Sequence, residues 1–319
     1  PLSVILSPFL FVLSNISEKY IAKISDLKNV DVVTYSGIAI SNYVGNGKDV
    51  VIPAEIEGKR VIEIYYEAFS GVDVKSIHIP AGVMWVEDAF MGCTTLGSIT
   101  VDENSTAFTS ENGVLFSKDK AILVAYPAAK KDLTYTVPDT VKSLWSAAFA
   151  FNTNIKEGII PEGGEEISYD AFSGCSSLEK LEIPDSVTSI RSDALDGTAY
   201  YNNADNWENG ILYCGNHLIE AKKTVSGNYS IRPGTKTVAW HAFEDCDNLT
   251  GIVIPDGVVY IGFYAFDSCT SLKNVKVPGS VKIIDEYAFQ DCTELEDVIV
   301  GSGVEYIEFC AFDGCTALK

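Results

Sequence analysis

The sequence predicts a mostly β solenoid, in which the chain winds into stacked coils that carry short helical or 3-10 turns. One apolar pattern recurs with a fixed period of 23 residues, marked by Phe243, Phe266, Phe289 and Phe312. At the head of each period apolar residues alternate with other residues, as in a strand with one buried face. A fixed period in the twenties indicates stacked structural repeats and not separate globular domains.

The repeats must stack to be stable. One 23-residue unit has too few apolar side chains to offset the conformational entropy that it loses on folding. Stacking lets neighbouring units bury both faces of each layer and complete one another's parallel strand ladders. We therefore expect one continuous core along the chain.

The repeat can be followed through most of the sequence. A Phe or its Leu equivalent marks nine coils, at Phe69, Phe90, Phe149, Phe172, Leu195, Phe243, Phe266, Phe289 and Phe312. Written out, the consensus is Leu-x-x-Ile-x-Ile-Pro-x-x-Val-x-x-Ile-x-x-x-Ala-Phe-x-x-Cys. The proline ends the first strand of the coil because it cannot donate to a neighbouring strand.

This consensus resembles the BspA-like class of leucine-rich repeats over residues 32–319. The resemblance implies a right-handed leucine-rich-repeat solenoid of 23-residue coils. It also implies a secreted or surface-attached protein of a host-associated microbe, of a kind that can adhere to host proteins or to other cells. No functional residue carries over, because the shared motif consists of core and turn residues.

Two interruptions break the period, at about residues 102–132 and 196–228. The first contains Asn112-Gly113-Val-Leu-Phe and the second Asn209-Gly210-Ile-Leu-Tyr. Each has two short apolar strands around a polar tip, which predicts a β-hairpin inserted into the stack.

The two ends of the chain do not follow the repeat. Residues 1–31 are predicted to form an N-terminal capping segment, with the remnant of a targeting segment as the alternative. Their apolar part is too short, and too broken by Pro8, to span a bilayer. At the other end, Leu318-Lys319 begins another coil. We expect a longer parent protein or another cover for the last coil.

Six of the eight cysteines occupy one slot of the repeat, three residues after the Phe position. This structural ladder comprises Cys93, Cys175, Cys246, Cys269, Cys292 and Cys315. Side chains stacked in a ladder point the same way, which is poor geometry for a disulfide. We expect free buried thiols, with Cys214 and Cys310 outside the ladder.

The charge excludes some partners. The formal net charge is -21, from 44 acidic and 23 basic residues. Nucleic acid and anionic membrane surfaces would require clustered Lys and Arg. The acidity indicates either a highly soluble surface or an electropositive partner.

The sequence shows no catalytic or metal motif. Its three histidines lie in three different coils, without zinc spacing, a phosphate loop or a nucleophile motif. Acidic clusters such as Glu165-Glu166 lack the ordered spacing of a calcium loop, so calcium is the weaker interpretation. We expect no catalytic residues, no metal and no cofactor.

Two groups of side chains are candidate binding residues. The second interruption carries Tyr200, Tyr201, Trp207 and Tyr213, and aromatic residues are favoured at interfaces. The alternative is that these rings pack against the stack. The second group lies in rows across the predicted sheet, represented by His78, Thr136, Glu182 and Lys276.

These observations predict a non-enzymatic secreted or cell-surface binding protein for protein recognition or adhesion to host or neighbouring cells. The alternative is a carbohydrate-recognition or spacer module within a longer surface protein. A protein partner is expected and a glycan is the alternative partner, with neither nucleic acid nor membrane insertion. The oligomeric state stays open.

Overall fold

The computed structural model describes residues 37–319, which form a stack of coils with two parallel sheets along its length. Each regular coil contributes a first strand to one side of the stack and a second strand to the other, and the second strand is the shorter one in most coils. The predicted solenoid is confirmed. The capping segment predicted at residues 1–31 lies outside the described residues.

The first strands form three blocks of parallel sheet. Strands pair only within a block. The first block contains β2 (Asp49–Val51), β5 (Ser76–Ile79) and β7 (Ser98–Val101). The second contains β11 (Thr134–Thr136), β13 (Glu157–Ile159) and β15 (Lys180–Glu182). The third contains β20 (Gly227–Ser230), β22 (Leu249–Val253), β24 (Asn274–Val277) and β26 (Asp297–Val300).

The second strands form three further parallel blocks. The first contains β1 (Ile38–Ile40), β4 (Lys59–Ile64) and β6 (Trp85–Val86). The second contains β10 (Ile122–Ala125), β12 (Ser143–Leu144), β14 (Glu166–Ile167) and β16 (Ser189–Ile190). The third contains β19 (His217–Ala221), β21 (Thr237–Val238), β23 (Tyr260–Ile261), β25 (Ile283–Ile284) and β27 (Tyr306–Ile307).

The core repeats in register with the sequence. Ile261 pairs with Ile284, which pairs with Ile307, so identical positions of successive coils lie side by side. The Phe side chains form a buried stack inside the turns. The ring centroids of Phe243 and Phe266 are 5.0 Å apart, and those of Phe266 and Phe289 are 4.9 Å apart. Each coil therefore depends on its neighbours for its core.

Both interruptions are antiparallel sheets, which confirms the predicted hairpins and adds a strand to each. The first consists of β8 (Phe108–Glu111), β9 (Val114–Ser117) and β10, and the second of β17 (Trp207–Glu208), β18 (Ile211–Cys214) and β19. The added strands are β8 and β17. They escape sequence detection because three of the four residues of β8 are polar and β17 has only two residues.

An Asn-Gly dipeptide forms the tight turn between each added strand and the strand that follows it, β9 after β8 and β18 after β17. Asn112 and Gly113 have φ of 51° and 78°, and Asn209 and Gly210 have 52° and 85°. Positive φ at both central residues is the requirement of a type I′ turn, which matches the twist of a hairpin. Glu57-Gly58 turns a smaller hairpin between β3 (Glu55–Ile56) and β4 in the same way.

The last strand of each interruption rejoins the solenoid. Leu123 of β10 pairs in parallel with Leu144, and Leu218 of β19 pairs in parallel with Val238. The interruptions are therefore modified coils and not separate domains. The second also contains helix α1 (Ala199–Asn202), followed by a 3-10 helix (Ala204–Asn206).

Every regular coil has a left-handed residue just before its Ala-Phe or Ala-Leu pair. These residues have φ between 38° and 58° and are Glu67, Asp88, Ala147, Asp170, Asp193, His241, Tyr264, Tyr287 and Cys310. We call them the left-handed row. They place one side chain per coil along one edge of the stack.

Among residues 37–319, no helix has the length and apolar character needed to cross a membrane.

Candidate binding surface

Helix α1 positions the two adjacent tyrosines of the second interruption. Thr198 caps the helix, and its hydroxyl accepts a hydrogen bond from the Tyr201 amide at 3.0 Å. The Tyr200 hydroxyl donates to the backbone oxygen of Tyr213 at 2.6 Å. The Tyr201 hydroxyl donates to Oε1 of Glu220 at 3.1 Å. Both rings are half-buried and fixed against the inserted strands.

Trp207 is held by the same helix. Its indole Nε1 donates to the backbone oxygen of Tyr201 at 2.8 Å, and the two rings meet edge-on at 5.2 Å. Lys222 places its ammonium group 4.7 Å from the centre of the indole ring. The Trp207 ring is therefore half-buried, with one face covered by a cation.

Tyr213 lies in the interior. Its side chain is only 4% exposed, and its hydroxyl is 3.2 Å from that of Tyr229. The hydroxyl also accepts a hydrogen bond from the Arg232 amide at 3.1 Å, and the Arg232 guanidinium lies over the ring. Tyr213 therefore supports the surface from below, whereas Tyr201 and Trp207 reach the surface.

A cleft of about 340 Å³ opens between the second interruption and the regular coils. Its walls are residues 191–196, Tyr201, residues 219–223, and Trp240, His241 and Glu244. Tyr201 thus belongs to a concave site, which the sequence alone did not show.

The cations in the cleft already have partners. Arg191 contacts Oε1 of Glu166 at 2.7 Å from Nε and 2.6 Å from Nη2. Lys223 pairs with Asp245 at 2.5 Å, and Nδ1 of His241 is 3.1 Å from Oε1 of Glu244. The ammonium group of Lys222 lies over the ring of Trp207. The cleft therefore offers no uncommitted cation to a ligand.

The carboxylates of the cleft are in excess. Asp193 and Asp196 are exposed, and neither forms an ion pair with any residue of the range 37–319. Burial raises the pKa of Glu220, and the nearby charges of Asp193 and Asp196 raise it further. The hydrogen bond from Tyr201 opposes this rise in the pKa of Glu220. A positively charged group fits this electrostatic environment best.

One wall of the cleft is a buried cation–aromatic cluster. The Arg191 guanidinium lies between the rings of Tyr169 and Trp240, 5.0 and 4.7 Å from their centres. The indole nitrogen of Trp240 donates to the Tyr260 hydroxyl at 3.0 Å, and Tyr260 in turn donates to Asp285. This cluster joins β16 to the coils that follow the interruption.

The candidate sheet residues are distributed over separate blocks. His78 lies on β5, where its Nδ1 is 3.0 Å from the Thr100 hydroxyl. Thr136 and Glu182 lie in the second block, on β11 and β15. Lys276 lies on β24 in the third block. The structure therefore does not bring these four residues into one site.

Lys276 has the most distinctive surroundings of the four. It pairs in register with Val253 on one side and Ile299 on the other. Those two apolar side chains are 58% and 61% exposed. Lys276 therefore lies in an exposed apolar row across the third block.

Sequence reasoning missed the aromatic residues of the left-handed row. His241, Tyr264 and Tyr287 recur with the 23-residue step, and the preceding positions include Trp240 and Phe263. Reading the two positions before each Ala-Phe pair along the repeat would have found them. The candidate rows in the sequence lie on the first strands of the coils, whereas these rings follow the second strands.

The described residues show no metal centre. Between residues 37 and 319, no group of three or more His, Cys, Asp or Glu side chains could hold a metal ion.

The family model for the BspA type leucine rich repeat region matches residues 15–117, 130–226 and 227–319, with six copies. These matches cover most of the chain. The chain belongs to the BspA-type leucine-rich-repeat family. Proteins with this repeat are typically binding scaffolds. A search of curated proteins gives no match.

Solved structures of several bacterial proteins resemble this BspA-type chain. A leucine-rich repeat protein from Eubacterium ventriosum is 26% identical, with a TM-score of 0.45, over 83% of this chain and 64% of its own. The pneumococcal vaccine antigen PcpA is 22% identical, with a TM-score of 0.43, over 80% of this chain and 50% of its own. A leucine rich cell surface protein from Faecalibacterium prausnitzii is 22% identical, with a TM-score of 0.33, over 88% of this chain and 89% of its own. The chain thus spans less than two thirds of the first two proteins.

Proposed function

We propose that this chain is a non-enzymatic binding protein, secreted or attached to the cell surface, that recognises a protein partner. Membership of the BspA-type family supports a surface location and a role in adhesion. The observation that carries the proposal is the cleft beside the second interruption, with Tyr201 on its wall and Trp207 behind it.

The rigidity of these rings favours recognition. Tyr201 and Trp207 are each held by a hydrogen bond and by contact with the other ring. A side chain that is already immobilised loses little conformational entropy when a partner binds. Tyrosine and tryptophan are also enriched among residues that contribute most to interfaces. The pair is therefore a suitable interface anchor.

The ring arrangement favours a protein over a glycan. A sugar stacks on the free face of an aromatic ring, but Lys222 covers one face of Trp207. Trp240 contacts Arg191 and the ring of Phe263, whose centroid is 4.7 Å away. A protein partner can instead use ring edges, hydroxyl groups and nearby carboxylates. We include His78, Thr136, Glu182 and Lys276 as secondary contacts, of which Lys276 has the best-defined apolar surroundings.

The experiment is capture by the immobilised chain of purified extracellular-matrix and epithelial surface proteins. Tyr201→Ala tests the cleft, and Tyr65→Ala is the matched control because Tyr65 is an exposed tyrosine in a distant coil. We expect Tyr201→Ala to weaken capture about tenfold, the usual loss for a central aromatic contact. Tyr65→Ala should bind like the wild type.

A second variant, at an exposed position, separates loss of binding from loss of folding. Asp196→Lys reverses an exposed charge on the cleft wall and leaves the core intact. Both cleft variants must melt at the wild-type temperature for their binding to be interpreted. Absence of capture from the whole panel, or equal capture by the wild type and Asp196→Lys, would contradict the proposal.

A further inference from the structure

A continuous row of aromatic rings leads from the cleft along the last coils. His241, on the cleft wall, stacks on Tyr264 with a centroid distance of 5.2 Å. Tyr264 stacks on Tyr287 at 4.9 Å, and Phe309 meets Tyr287 edge-on at 6.0 Å. Phe263 packs edge-on against both tyrosines, at 4.3 and 5.8 Å. We call these five residues the aromatic ledge.

The local backbone does not favour aromatic residues at this position. Tyr264 and Tyr287 belong to the left-handed row, with φ of 53° and 56°. Asp, Asn and Gly adopt this conformation most readily, whereas bulky side chains there are outliers. The same row in earlier coils carries Asp88, Asp170 and Asp193. Stacking between the rings offsets part of the strain, but a requirement of the fold alone would be met by aspartate.

The ledge is also accessible. Phe309 is 67% exposed, and the other four ledge residues are partly exposed. A contiguous exposed patch of apolar rings with a polar rim is typical of a protein interaction site. Because the tyrosine faces are used in stacking, the edges and hydroxyl groups are what a partner would meet.

The segments of chain that carry the ledge are acidic. Residues 239–246, 262–269, 285–292 and 308–315, which carry the ledge, contain no lysine or arginine. Their acidic residues are Glu244, Asp245, Asp267, Asp285, Glu286, Asp291, Glu308 and Asp313. Burial raises the pKa of Tyr264, and the charges of Asp267 and Glu244 contribute to this rise. Glu286 and Asp313 contribute to the raised pKa of Tyr287 in the same way. We call these acidic residues the anionic rim, and their charges act on the two tyrosines of the ledge.

We propose that the aromatic ledge and its carboxylates bind an extended, lysine- and arginine-rich segment of a protein partner. The aliphatic stems of the basic residues pack on the rings, and their charged ends reach the carboxylates. Four coils at about 4.8 Å per strand give a footprint of about 15 Å. An extended peptide covers this length with about five residues. This inference rests on the proposed function and specifies the partner's chemistry.

The test uses a fluorescein-labelled peptide of eight alternating Lys and Leu residues and measures its anisotropy with the whole chain. A Glu-Leu peptide of equal length is the charge control. The chain is so acidic that general attraction to a cation is expected, and this part should fall steeply with added salt. The inference is therefore tested by comparing the affinity of ledge and rim variants with that of matched control variants.

The first comparison removes ring area. Tyr287→Ala combined with Phe309→Ala truncates the ledge at its two outer members. Tyr65→Ala combined with Leu133→Ala removes exposed apolar side chains from other coils. We expect the ledge pair to weaken peptide binding about tenfold or more, as loss of central interface aromatics does. The control pair should leave the affinity within about twofold.

The second comparison removes charge. Asp291→Asn combined with Asp313→Asn neutralises two exposed carboxylates on the rim. Glu162→Gln combined with Asp256→Asn makes the same change in net charge at two exposed turns away from the ledge. We expect the rim pair to weaken binding at least about threefold more than the matched pair, because nearby charges dominate when salt screens distant ones.

The outcomes are distinct. Selective loss in the ledge pair and the rim pair supports the inference. Equal loss in the matched pairs, equal binding of the Glu-Leu peptide, or no binding overturns it. If Tyr201→Ala weakens capture of a protein partner while the peptide result is negative, the proposed function stands and the ledge assignment fails. If the peptide binds selectively but no protein is captured, the ledge assignment stands and the proposed function fails.

Discussion

The thiol of Cys269 donates a hydrogen bond to the backbone oxygen of Phe243, 3.2 Å away in the preceding coil. The same contact joins Cys292 to Phe266 at 3.2 Å. The same hydrogen bond joins the thiol of Cys175 to the backbone oxygen of Phe149, and the thiol of Cys315 to that of Phe289. The ladder cysteines therefore satisfy a carbonyl group of the turn below them, as well as filling space.

Cys246 is an exception with a clear cause. The coil before it is the second interruption, which has no equivalent Phe. Its thiol points instead to the backbone oxygen of Lys222 at the long distance of 3.8 Å. The ladder thus weakens where the period is broken.

The thiols should differ strongly in reactivity. All eight cysteines are free, with six buried and Cys310 and Cys315 half-buried. Burial raises the pKa of Cys93 and Cys175 to about 12, so their reactive thiolate is scarce. Timed alkylation of the native protein, followed by peptide mass spectrometry, should label Cys310 and Cys315 first. Labelling of Cys175 as fast as Cys310 would contradict this, and the urea-unfolded chain is the control.

Phe266→Ala should destabilise the stack severely. Phe266 is fully buried between Phe243 and Phe289, and removing a buried phenylalanine costs about 3–5 kcal/mol. Because coils stabilise their neighbours, the coils after the substitution should also lose protection from hydrogen exchange. Phe309→Ala, at an exposed ring of the last complete turn, should cost about 1 kcal/mol or less. Similar urea midpoints for the two variants would contradict the prediction.

Arg191→Met should destabilise the contact between the coils before the second interruption and those after it, so that the two parts unfold at different urea concentrations. The Arg191 side chain is 10% exposed and joins Glu166, Tyr169 and Trp240. Glu166 is 27% exposed, so water partly solvates its carboxylate when Arg191 is removed, and we expect a loss of about 1.5–3 kcal/mol. Arg191→Lys should recover only part of this loss, since an ammonium group lacks the planar fork of a guanidinium.

The control for Arg191 is Lys273→Met. Lys273 lies 3.9 Å from Glu294 in an exposed pair, which contributes little to stability. Urea unfolding followed by tryptophan fluorescence compares the two, since Trp240 lies in the Arg191 cluster. Equal stability of Arg191→Met and Lys273→Met would show that the cluster is not a structural joint.

Asp267→Asn should stabilise the protein at pH 7.5 and much less at pH 4. Burial raises the pKa of Asp267 to about 6, and the charges of Glu244 and Asp291 add to the effect. Its Oδ1 is buried and has no hydrogen-bond partner within residues 37–319. The folded state therefore binds the proton more tightly than the unfolded state, whose Asp pKa is about 3.9. The contribution to stability is present below about pH 3.9 and is lost as pH rises through 6.

The expected gain for Asp267→Asn at pH 7.5 is about 1–3 kcal/mol, because each pKa unit corresponds to about 1.4 kcal/mol. Chemical denaturation at several pH values measures it. Asp256→Asn, which changes an exposed carboxylate, is the control. A pH-independent gain for Asp267→Asn would contradict the assigned raised pKa.

The regular coils were predictable because their contacts repeat. The 23-residue step placed Ile261, Ile284 and Ile307 in register and Phe266 and Phe289 in one buried stack, as the structure shows. The inserted hairpins were also predictable from local turn chemistry. Their extra strands were not, because β17 pairs with β18 through only two residues and carries no alternating pattern of its own.

The candidate site was less predictable. The sequence placed Tyr200, Tyr201, Trp207 and Tyr213 in one interruption. It could not show that Tyr213 faces inward while Tyr201 reaches a cleft. The direction of each ring depends on which distant groups accept its hydrogen bond, as Glu220 does for Tyr201.

The sequence by itself determined the stack, its period and the position of the two modified coils, because a repeated local pattern dictates the contacts between identical neighbours. Only the tertiary structure decided the cleft, the Arg191 cluster and the aromatic ledge. Arg191 and Trp240 meet across the second interruption, where the period no longer relates one coil to the next. There the contacts depend on how the inserted strands fold back, which a repeat of 23 residues cannot encode.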